Sequence, residues 1–517
     1  MAAVVTYPVN HRAWPWPLRS VSFTWRAVAL AMPELWYAHN INLGHHSAYD
    51  TTIPFFKHVI PSQGMLSLDL NGPASPEIAA YAINELLLPN LPRIQRLHLN
   101  YFPASALKGL LDAPAGELIN LVDFRLDVTD ADHLFPGGDT LLKLESTSMI
   151  SQAMNLQRLS LSGYQVRDLD LNFDDLISLD LSGGGLITLF AANRLLKECG
   201  SLRTASFSLS GDRERYSQPS DDPEVIAPHL QNLTLMGVIP KRLTMLRIPW
   251  EALETLDLRS AQRLKASLAI SILQRCHLLG SLSATIDDKF KATDQRPGMA
   301  SLLHLQKLDL ELTSGNIFSS VIAPALTDLT LCCESMPVKP LLTLISQSSC
   351  QILDFRHKSR EEEHLPRPIH PERARQLFEA MPMLRSFTSH CPLKGALFDR
   401  ISPGRPTSLK PERPLLPNLF ELDCVVTPRD FGQFLGMVEA RAWRGLNAPS
   451  TSIFNTLCVV DVHMRVDNVD EVGAQFKHHQ EQLQALRAME QKRILVWNLS
   501  FGNSRKESVV SYHEDEQ

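Results

Sequence analysis

Leu305-Gln306-Lys307-Leu308-Asp309-Leu310 is one copy of the pattern that decides the fold. The pattern is L-x-x-L-x-L. Its last two leucines fall on one face of a β-strand, and the residue between them falls on the other face. A lone strand of this kind cannot bury its leucines, so similar strands must stack beside it. Further copies begin at Ile94, Leu121, Leu156, Leu176, Leu202, Leu230, Leu253 and Leu326.

Weaker copies at 279–284, 350–355, 384–389, 419–424 and 454–459 continue the repeat towards the C-terminus. Repeats of 20–29 residues are typical of leucine-rich repeats, although several of the spacings here are longer. Short helical patterns lie between many of the strands, and this alternation favours parallel pairing. The helical patterns cover 76–88, 186–199, 267–276, 340–348, 371–380 and 428–440. The sequence therefore predicts an α/β fold, an irregular leucine-rich-repeat solenoid over 60–468 with a curved parallel sheet and outer helices.

Composition and charge exclude several classes of protein. Of the 517 residues 81 are leucine and 44% are hydrophobic, which is enough to build a large core. The net charge is −6 and the pI is near 6.3, so a nucleic-acid partner is not expected. Neither an apolar run of about 20 residues nor a polybasic patch is present, so no membrane partner is expected. Residues 1–17 lack the features of a signal peptide, and the scattered cysteines suit a reducing cytoplasm or nucleus.

The ends of the chain and three insertions depart from the repeat. The N-terminal residues 1–17 and the polar tail 503–517 are expected to be irregular or disordered. Apolar residues at helical spacing predict an amphipathic helix within 469–502, followed by a strand, and this helix is expected to cap the sheet. The polar segments 211–223, 358–371 and 402–414 are expected to form loops.

The residue between the two strand leucines should face away from the core and is the natural contact for a partner. Towards the C-terminus this position is often aspartate, which predicts an acidic stripe that favours a basic partner segment. An open alternative is that aspartate merely keeps these strands soluble. The candidate substrate-facing residues are Asp180, Asp257, Asp309, Asp354 and Asp423.

Patterns that would carry chemistry are weak, and no catalytic residue, metal site or cofactor is predicted. Gly183-Gly184-Gly185 lacks the Lys and Ser/Thr of a phosphate loop. The histidines near the N-terminus, His39 among them, lack metal-site spacing and are expected to be solvated. Cys332 or Cys333 with His357 could form a nucleophile–base pair, but no elbow motif accompanies them.

A helical segment is expected over 18–43, ahead of the repeats. Leu18, Val21 and Trp25 fall at helical spacing, and Pro33 opens a second turn that presents Leu35 and Trp36. From these residues alone the segment is either a cap over the first repeat or a docking module.

The same segment resembles the second half of the F-box of filamentous-fungal F-box/leucine-rich-repeat proteins. Those proteins commonly read V-x-x-x-W-R-x-x-A-L-x-x-P-x-L-W, and this chain matches at Val21, Trp25, Arg26, Leu35 and Trp36. The first half of that F-box, an L-P-x-E/D helix, has no counterpart in residues 1–17.

The resemblance implies a substrate-recognition subunit of an SCF cullin-RING ubiquitin ligase. The F-box residues would then belong to the F-box fold or its adaptor-binding surface, and the repeats would hold an unknown protein substrate. An open alternative is a repeat scaffold that binds a protein but never meets the ligase. A third reading is an enzyme with a pocket in an insertion loop.

Overall fold

The computed structural model describes most of the chain between residues 37 and 503. The described residues are 22, 24, 32, 37–44, 50, 52–60, 64–73, 75–111, 118–129, 153–162, 174–182, 187–209, 226–237, 243, 246–259, 262–289, 298–359, 369–402, 415–447, 459–466, 477–491 and 496–503. The chain divides into two compact units. The N-terminal unit comprises 1–253 and 257–262, and the C-terminal unit comprises 254–256 and 263–517.

The N-terminal unit contains a parallel sheet in which each strand pairs with the next one along the chain. Its strands are β1 (Ala38–Asn42), β2 (Leu66–Asn71), β3 (Ile94–Pro103), β4 (Asp123–Thr129), β5 (Arg158–Ser162), β6 (Ser178–Leu181), β7 (Thr204–Leu209) and β8 (Asn232–Gly237). A further strand, β9 (Thr255–Leu258), contains the division between the units. The parallel pairing predicted from the repeat is therefore confirmed in this unit.

The C-terminal unit is built in the same way. Its main strands are β10 (Leu264–Lys265), β11 (Ser281–Asp287), β13 (Lys307–Leu312), β15 (Asp328–Cys332), β16 (Asp354–Lys358), β17 (Ser386–Leu393), β18 (Glu421–Val426), β19 (Val459–Val466) and β20 (Val496–Asn503). All neighbours pair in parallel. Two short strands, β12 (Ala300–Ser301) and β14 (Val321–Ile322), form a separate parallel pair.

The apolar residues of the repeat form continuous buried rows within each sheet. In the N-terminal unit Leu97 pairs with Phe124, and both are fully buried. In the C-terminal unit Leu308 pairs with Leu329, which pairs with Phe355, and all three are buried. Complete burial of one such side chain contributes about 1.5–3 kcal/mol. The rows are therefore a principal source of stability in each unit.

Asparagine side chains fasten successive repeats at the start of the strands. Each asparagine directly precedes the first apolar residue of its repeat and donates to a backbone carbonyl of the preceding repeat. The bonds are Asn120 Nδ2 to Pro92 O at 2.7 Å, Asn155 Nδ2 to Ile119 O at 2.5 Å and Asn418 Nδ2 to Pro382 O at 3.1 Å. These bonds satisfy carbonyl groups in turns that no strand partner reaches.

Helices connect many of the strands, as the alternating pattern predicts. They are α1 (Thr52–Val59), α2 (Pro76–Ala82), α3 (Ala104–Leu111), α4 (Leu189–Glu198), α5 (Ala266–Leu273), α6 (Val338–Ser348), α7 (Pro371–Ala380), α8 (Gly395–Ile401), α9 (Phe431–Asn447) and α10 (Gln480–Gln491). Local chemistry sets several of their starts. The Ser75 hydroxyl accepts from the Ile78 amide at the start of α2, and the Thr188 hydroxyl accepts from the Ala191 amide at the start of α4.

The helical segment predicted over 18–43 is wrong at its C-terminal end, because residues 38–42 form strand β1. His39 and Ile41 alternate with half-buried neighbours and face the core, and the strand pairs with β2. His39 is 2% exposed, so the prediction that it is solvated is also wrong. Strand β2 itself, Leu66–Asn71, is a repeat that we did not predict.

The helix expected to cap the C-terminal end instead connects two paired strands. Helix α10 (Gln480–Gln491) lies between β19 and β20 in sequence, and β20 pairs in parallel with β19 over eight residues. Helix α10 contacts the preceding helix α9. It is therefore one more crossover helix, and the sheet continues past the predicted limit of 468.

The repeat predicted at 350–355 is displaced by two residues. Phe355 pairs with Leu329 and with Phe387, so the core-facing positions of this repeat are Ile352, Phe355 and His357. The buried imidazole of His357 takes the place that leucine fills in other repeats. Several other predictions lie wholly or mainly outside the described residues: the ends 1–17 and 503–517, the glycine run at 183–185, and the loops 211–223, 358–371 and 402–414.

Candidate functional site

The residue between two buried strand positions lies on the outer face of the sheet, opposite the core. We call the row formed by these residues the central outward row. In the N-terminal unit it reads Asn40, Asp69, His98, Arg125, Ser160, Asp180, Ser206 and Thr234. In the C-terminal unit it reads Ser283, Asp309, Thr330, Arg356, Thr388, Asp423 and Asp461. These side chains are half-buried or exposed, which leaves them accessible to a partner.

The five predicted aspartates do not form one compact site. Asp309 and Asp423 share the central outward row of the C-terminal unit, but they lie four strand spacings of about 4.8 Å apart. Asp354 belongs to the neighbouring row because its repeat is displaced, and Arg356 stands in the position predicted for it. Asp180 belongs to the N-terminal unit, and Asp257 belongs to β9.

Two of these carboxylates are engaged by their own neighbours. Asp180 accepts hydrogen bonds from the Ser182 amide at 3.0 Å, the Ser182 hydroxyl at 2.6 Å and the Ser160 hydroxyl at 3.3 Å. Asp257 accepts from the backbone amide of Arg259 at 3.0 Å and pairs with its guanidinium at 2.6 Å. Arg259 therefore balances the charge of Asp257, whereas neutral donors occupy the oxygens of Asp180.

The remaining carboxylates of this face are concentrated in the C-terminal unit. We call Asp309, Asp328, Asp354, Glu421 and Asp423 the acidic surface. Asp328 and Asp354 are direct partners on adjacent strands. Burial raises the pKa of Asp354, and the charges of Asp328 and Glu421 raise it further, although Arg356 opposes them. The surface therefore carries unfavourable negative charge that a cationic partner would relieve.

A histidine borders the acidic surface on the next strand. His463 Nε2 lies 3.4 Å from Asp423 Oδ1, and its side chain is 53% exposed. The hydrogen bond to Asp423 raises the pKa of His463. The charge at this end of the surface therefore depends on pH near neutrality.

The N-terminal unit carries a contrasting group that sequence reasoning did not single out. We call Arg96, His98, Arg125 and Arg158 the basic surface. The carboxylate of Asp123 lies among them, 2.9 Å from Arg158 Nε and 3.2 Å from Arg96 Nε. The signal was present in the sequence, because residues 96, 123 and 158 each directly precede the central apolar residue of a repeat.

The structure brings together Cys333 and His357, the pair considered for nucleophilic catalysis. Cys333 Sγ lies 3.4 Å from His357 Nε2, and both residues are buried. Burial lowers the pKa of His357 to about 4 and raises the pKa of Cys333 to about 12. Both groups are therefore neutral near pH 7, and the contact is a hydrogen bond inside the core.

Other chemistry on the described residues is sparse. The described part of the chain contains no group of three or more His, Cys, Asp or Glu side chains placed to hold a metal ion. None of the seven described cysteines forms a disulfide. A shallow groove of about 490 Å³ opens before strands β5–β8. Its lining residues are Asn155, Gln157, Asp175, Ile177, Ser201, Arg203 and His229. The F-box-like residues Val21, Trp25, Arg26, Leu35 and Trp36 lie outside the described residues.

Comparison with known proteins does not identify a family for this chain. No family model matches the sequence, and no curated protein matches it. Among solved structures the chain is similar to the mouse RP105/MD-1 complex, with 11% identity over 76% of this chain and 70% of that chain and a TM-score of 0.27. The assignment of the fold therefore depends on the strand pairing described above. Within the described residues no helix is long and apolar enough to cross a membrane.

Proposed function

We propose that this chain is a repeat scaffold that binds a partner protein on the outward face of its parallel sheets. The observation that carries the proposal is the division of each strand. In the strands whose side chains the structure describes, alternate residues are buried, and the residues between them present polar or charged side chains at regular strand spacing. An exposed sheet face of this kind is the binding surface of solenoid proteins. We further propose that the repeats are leucine-rich repeats stacked into a curved solenoid.

The acidic surface is the first contact that we assign to the partner, which would present a basic segment. Support comes from the neighbouring carboxylates of Asp328 and Glu421, whose charges add to the larger effect of burial in raising the pKa of Asp354, while Arg356 lowers it. Electrostatic complementarity of this kind sets which partner binds and how fast it arrives.

The test uses a labelled peptide of eight lysines and the full-length chain, with binding followed by fluorescence anisotropy. The double variant Asp309→Lys, Asp423→Lys should weaken binding at least tenfold. Asp399→Lys alters an exposed residue of helix α8, away from the outward face, and serves as the control. Equal binding by the double variant and the control would contradict the assignment.

The finer proposal is a substrate-recognition subunit of an SCF ubiquitin ligase. Its support is the F-box-like sequence at Val21, Trp25, Arg26, Leu35 and Trp36. In this role the chain would hold its substrate near the ubiquitin-transferring enzyme and act by proximity, with no catalysis of its own. The buried, neutral Cys333–His357 pair is consistent with a non-catalytic role.

Co-purification of the full-length chain with the SCF adaptor protein tests the ligase proposal. Trp25→Ala with Trp36→Ala should abolish association, whereas the Asp309→Lys, Asp423→Lys variant should retain it. Failure of the unaltered chain to associate would overturn the ligase proposal and leave the scaffold proposal standing.

A further inference from the structure

Two arginines of the N-terminal unit are oriented by a single carboxylate. Arg96, Asp123 and Arg158 are direct partners on the adjacent strands β3, β4 and β5. Both arginines direct their Nε atoms to Oδ2 of Asp123, at 3.2 and 2.9 Å. A guanidinium has five N–H donors, and only Nε is engaged in each case. In the described part of the chain their terminal nitrogens make no hydrogen bond within the protein.

The positive charge of this surface is more exposed than the negative charge that holds it. The side chains of Arg96 and Arg158 are 50% and 49% exposed, whereas that of Asp123 is 15% exposed. Arg125 lies in the next row, directly opposite His98, and is also exposed. One carboxylate therefore accompanies three arginines at the centre of the basic surface.

Two further carboxylates lie at the borders of the basic surface. They mark its edges but do not neutralise its arginines. Asp69 accepts from Asn100 Nδ2 at 2.8 Å and from Asn40 Nδ2 at 3.3 Å, so amide groups occupy both of its oxygens. Asp127 lies beyond Arg125 on β4, opposite Ser162. The basic surface is therefore a small cationic area with acidic edges.

We propose that the basic surface binds an acidic segment of a partner protein through paired arginine–carboxylate contacts. Arginine binds a carboxylate with two parallel hydrogen bonds, and these pairs are stronger than neutral ones. Asp123 already holds Arg96 and Arg158 in place, so less conformational entropy is lost on binding. Because both Nε atoms contact the same oxygen of Asp123, the two guanidiniums stand side by side, and their terminal N–H groups can bind neighbouring carboxylates of one peptide.

The size and surroundings of the surface favour a protein over a nucleic acid. Nucleic-acid sites usually neutralise many phosphates along an extended basic stripe. Here the arginines are few, acidic residues border them, and the whole chain carries a net charge of −6. This inference rests on the proposed recognition of a protein by the outward face, and it assigns a second contact of opposite charge.

The test measures binding of a labelled peptide of eight glutamates to the full-length chain by fluorescence anisotropy. Arg125→Glu should weaken binding at least fivefold, because it reverses a charge that has no hydrogen bond or ion pair within the part of the chain that the structure describes. Arg203→Glu makes the same charge change at an exposed residue just before β7 and should leave binding within twofold. Equal melting temperatures would show that both variants fold.

Three results would overturn the proposal: no weakening by Arg125→Glu, equal weakening by both variants, or preferential displacement of the peptide by a DNA oligonucleotide of the same charge. The eight-lysine peptide separates this failure from failure of the proposed function. Its binding depends on the acidic surface, so Arg125→Glu should leave it unchanged.

Discussion

Asp123 and Asp354 occupy the same position of the repeat in the two units, yet their surroundings shift their pKa values in opposite directions. Arg96 and Arg158 flank Asp123 on the adjacent strands, and although burial opposes its charge, hydrogen bonds from His98 and Arg158 hold its pKa below the usual range. Asp354 faces another carboxylate, that of Asp328, and its pKa is raised, first by burial. Burial raises the pKa of both carboxylates, and the charged partners across the strands then act on the two pKa values in opposite directions.

The largest expected effect concerns the core beneath the two aspartates, where the units should agree. Phe124 and Phe355 follow these aspartates and are fully buried. Changing either residue to alanine should cost about 3–5 kcal/mol in the free energy of unfolding, because each leaves a large cavity. Urea unfolding measures the cost. Phe190→Ala, at a residue 67% exposed, is the control with little expected effect. Very different costs at 124 and 355 would mean that the units do not share one kind of core.

The next effect separates the two units. Asp123→Asn removes the carboxylate that two arginines share, so it should lower the free energy of unfolding by about 1 kcal/mol, given that both arginines are half exposed. Asp354→Asn relieves repulsion and should cost nothing or stabilise slightly. Urea unfolding of the two variants beside the unaltered chain gives both signs. If both variants lose the same free energy of unfolding, the two carboxylates do not differ in their effect on stability.

The two aspartates should also give opposite pH dependences of stability, that of Asp123 below about pH 3.9 and that of Asp354 above it. The lowered pKa of Asp123 stabilises the fold above its unfolded value of about 3.9, and that stability is lost as pH falls through the folded pKa. The raised pKa of Asp354 favours the fold at low pH, and that contribution is lost as pH rises through the folded value. The free energy of unfolding of each Asn variant, measured as a function of pH, should lack the pH dependence that its aspartate contributes.

The smallest effect concerns His463, which borders the acidic surface. Its raised pKa means that its contribution to stability is complete below about 6.5 and is lost as pH rises through the folded value. NMR titration of its ring should show the pKa moving towards its ordinary value in Asp423→Asn. An unchanged titration would show that Asp423 does not hold this proton.

Much of the fold could be predicted from the sequence because the apolar positions of the repeat are the positions that become buried in the strands. The copies at Leu305 and Leu326 set both the strands and their register. The copy around Leu68 was missed because methionine, Met65, stands in its first position. At 350–355 the predicted alignment of the repeat contained more apolar residues than the observed one, because the observed alignment ends in His357. A histidine that hydrogen-bonds to Cys333 inside the core gives no hydrophobic signal.

The candidate surfaces could be predicted only in part. Considering one outward residue in each repeat identified Asp309 and Asp423, but a strand presents more than one outward position. The basic surface depends on the neighbouring position, where Arg96, Asp123 and Arg158 align. Local bonds such as that of Asp257 to Arg259 change the available charge, and they become visible only with side-chain geometry.

The asparagine bonds at the strand starts bear on how such a chain can lengthen in evolution. Asn155 reaches only the repeat immediately before it, and the same holds for Asn120 and Asn418. A duplicated segment that runs from one asparagine to the next would contain the asparagine that donates to the repeat before it. It would also contain the backbone carbonyl that accepts from the asparagine of the repeat after it. Tandem gene duplication could then add whole repeats without new compensating mutations.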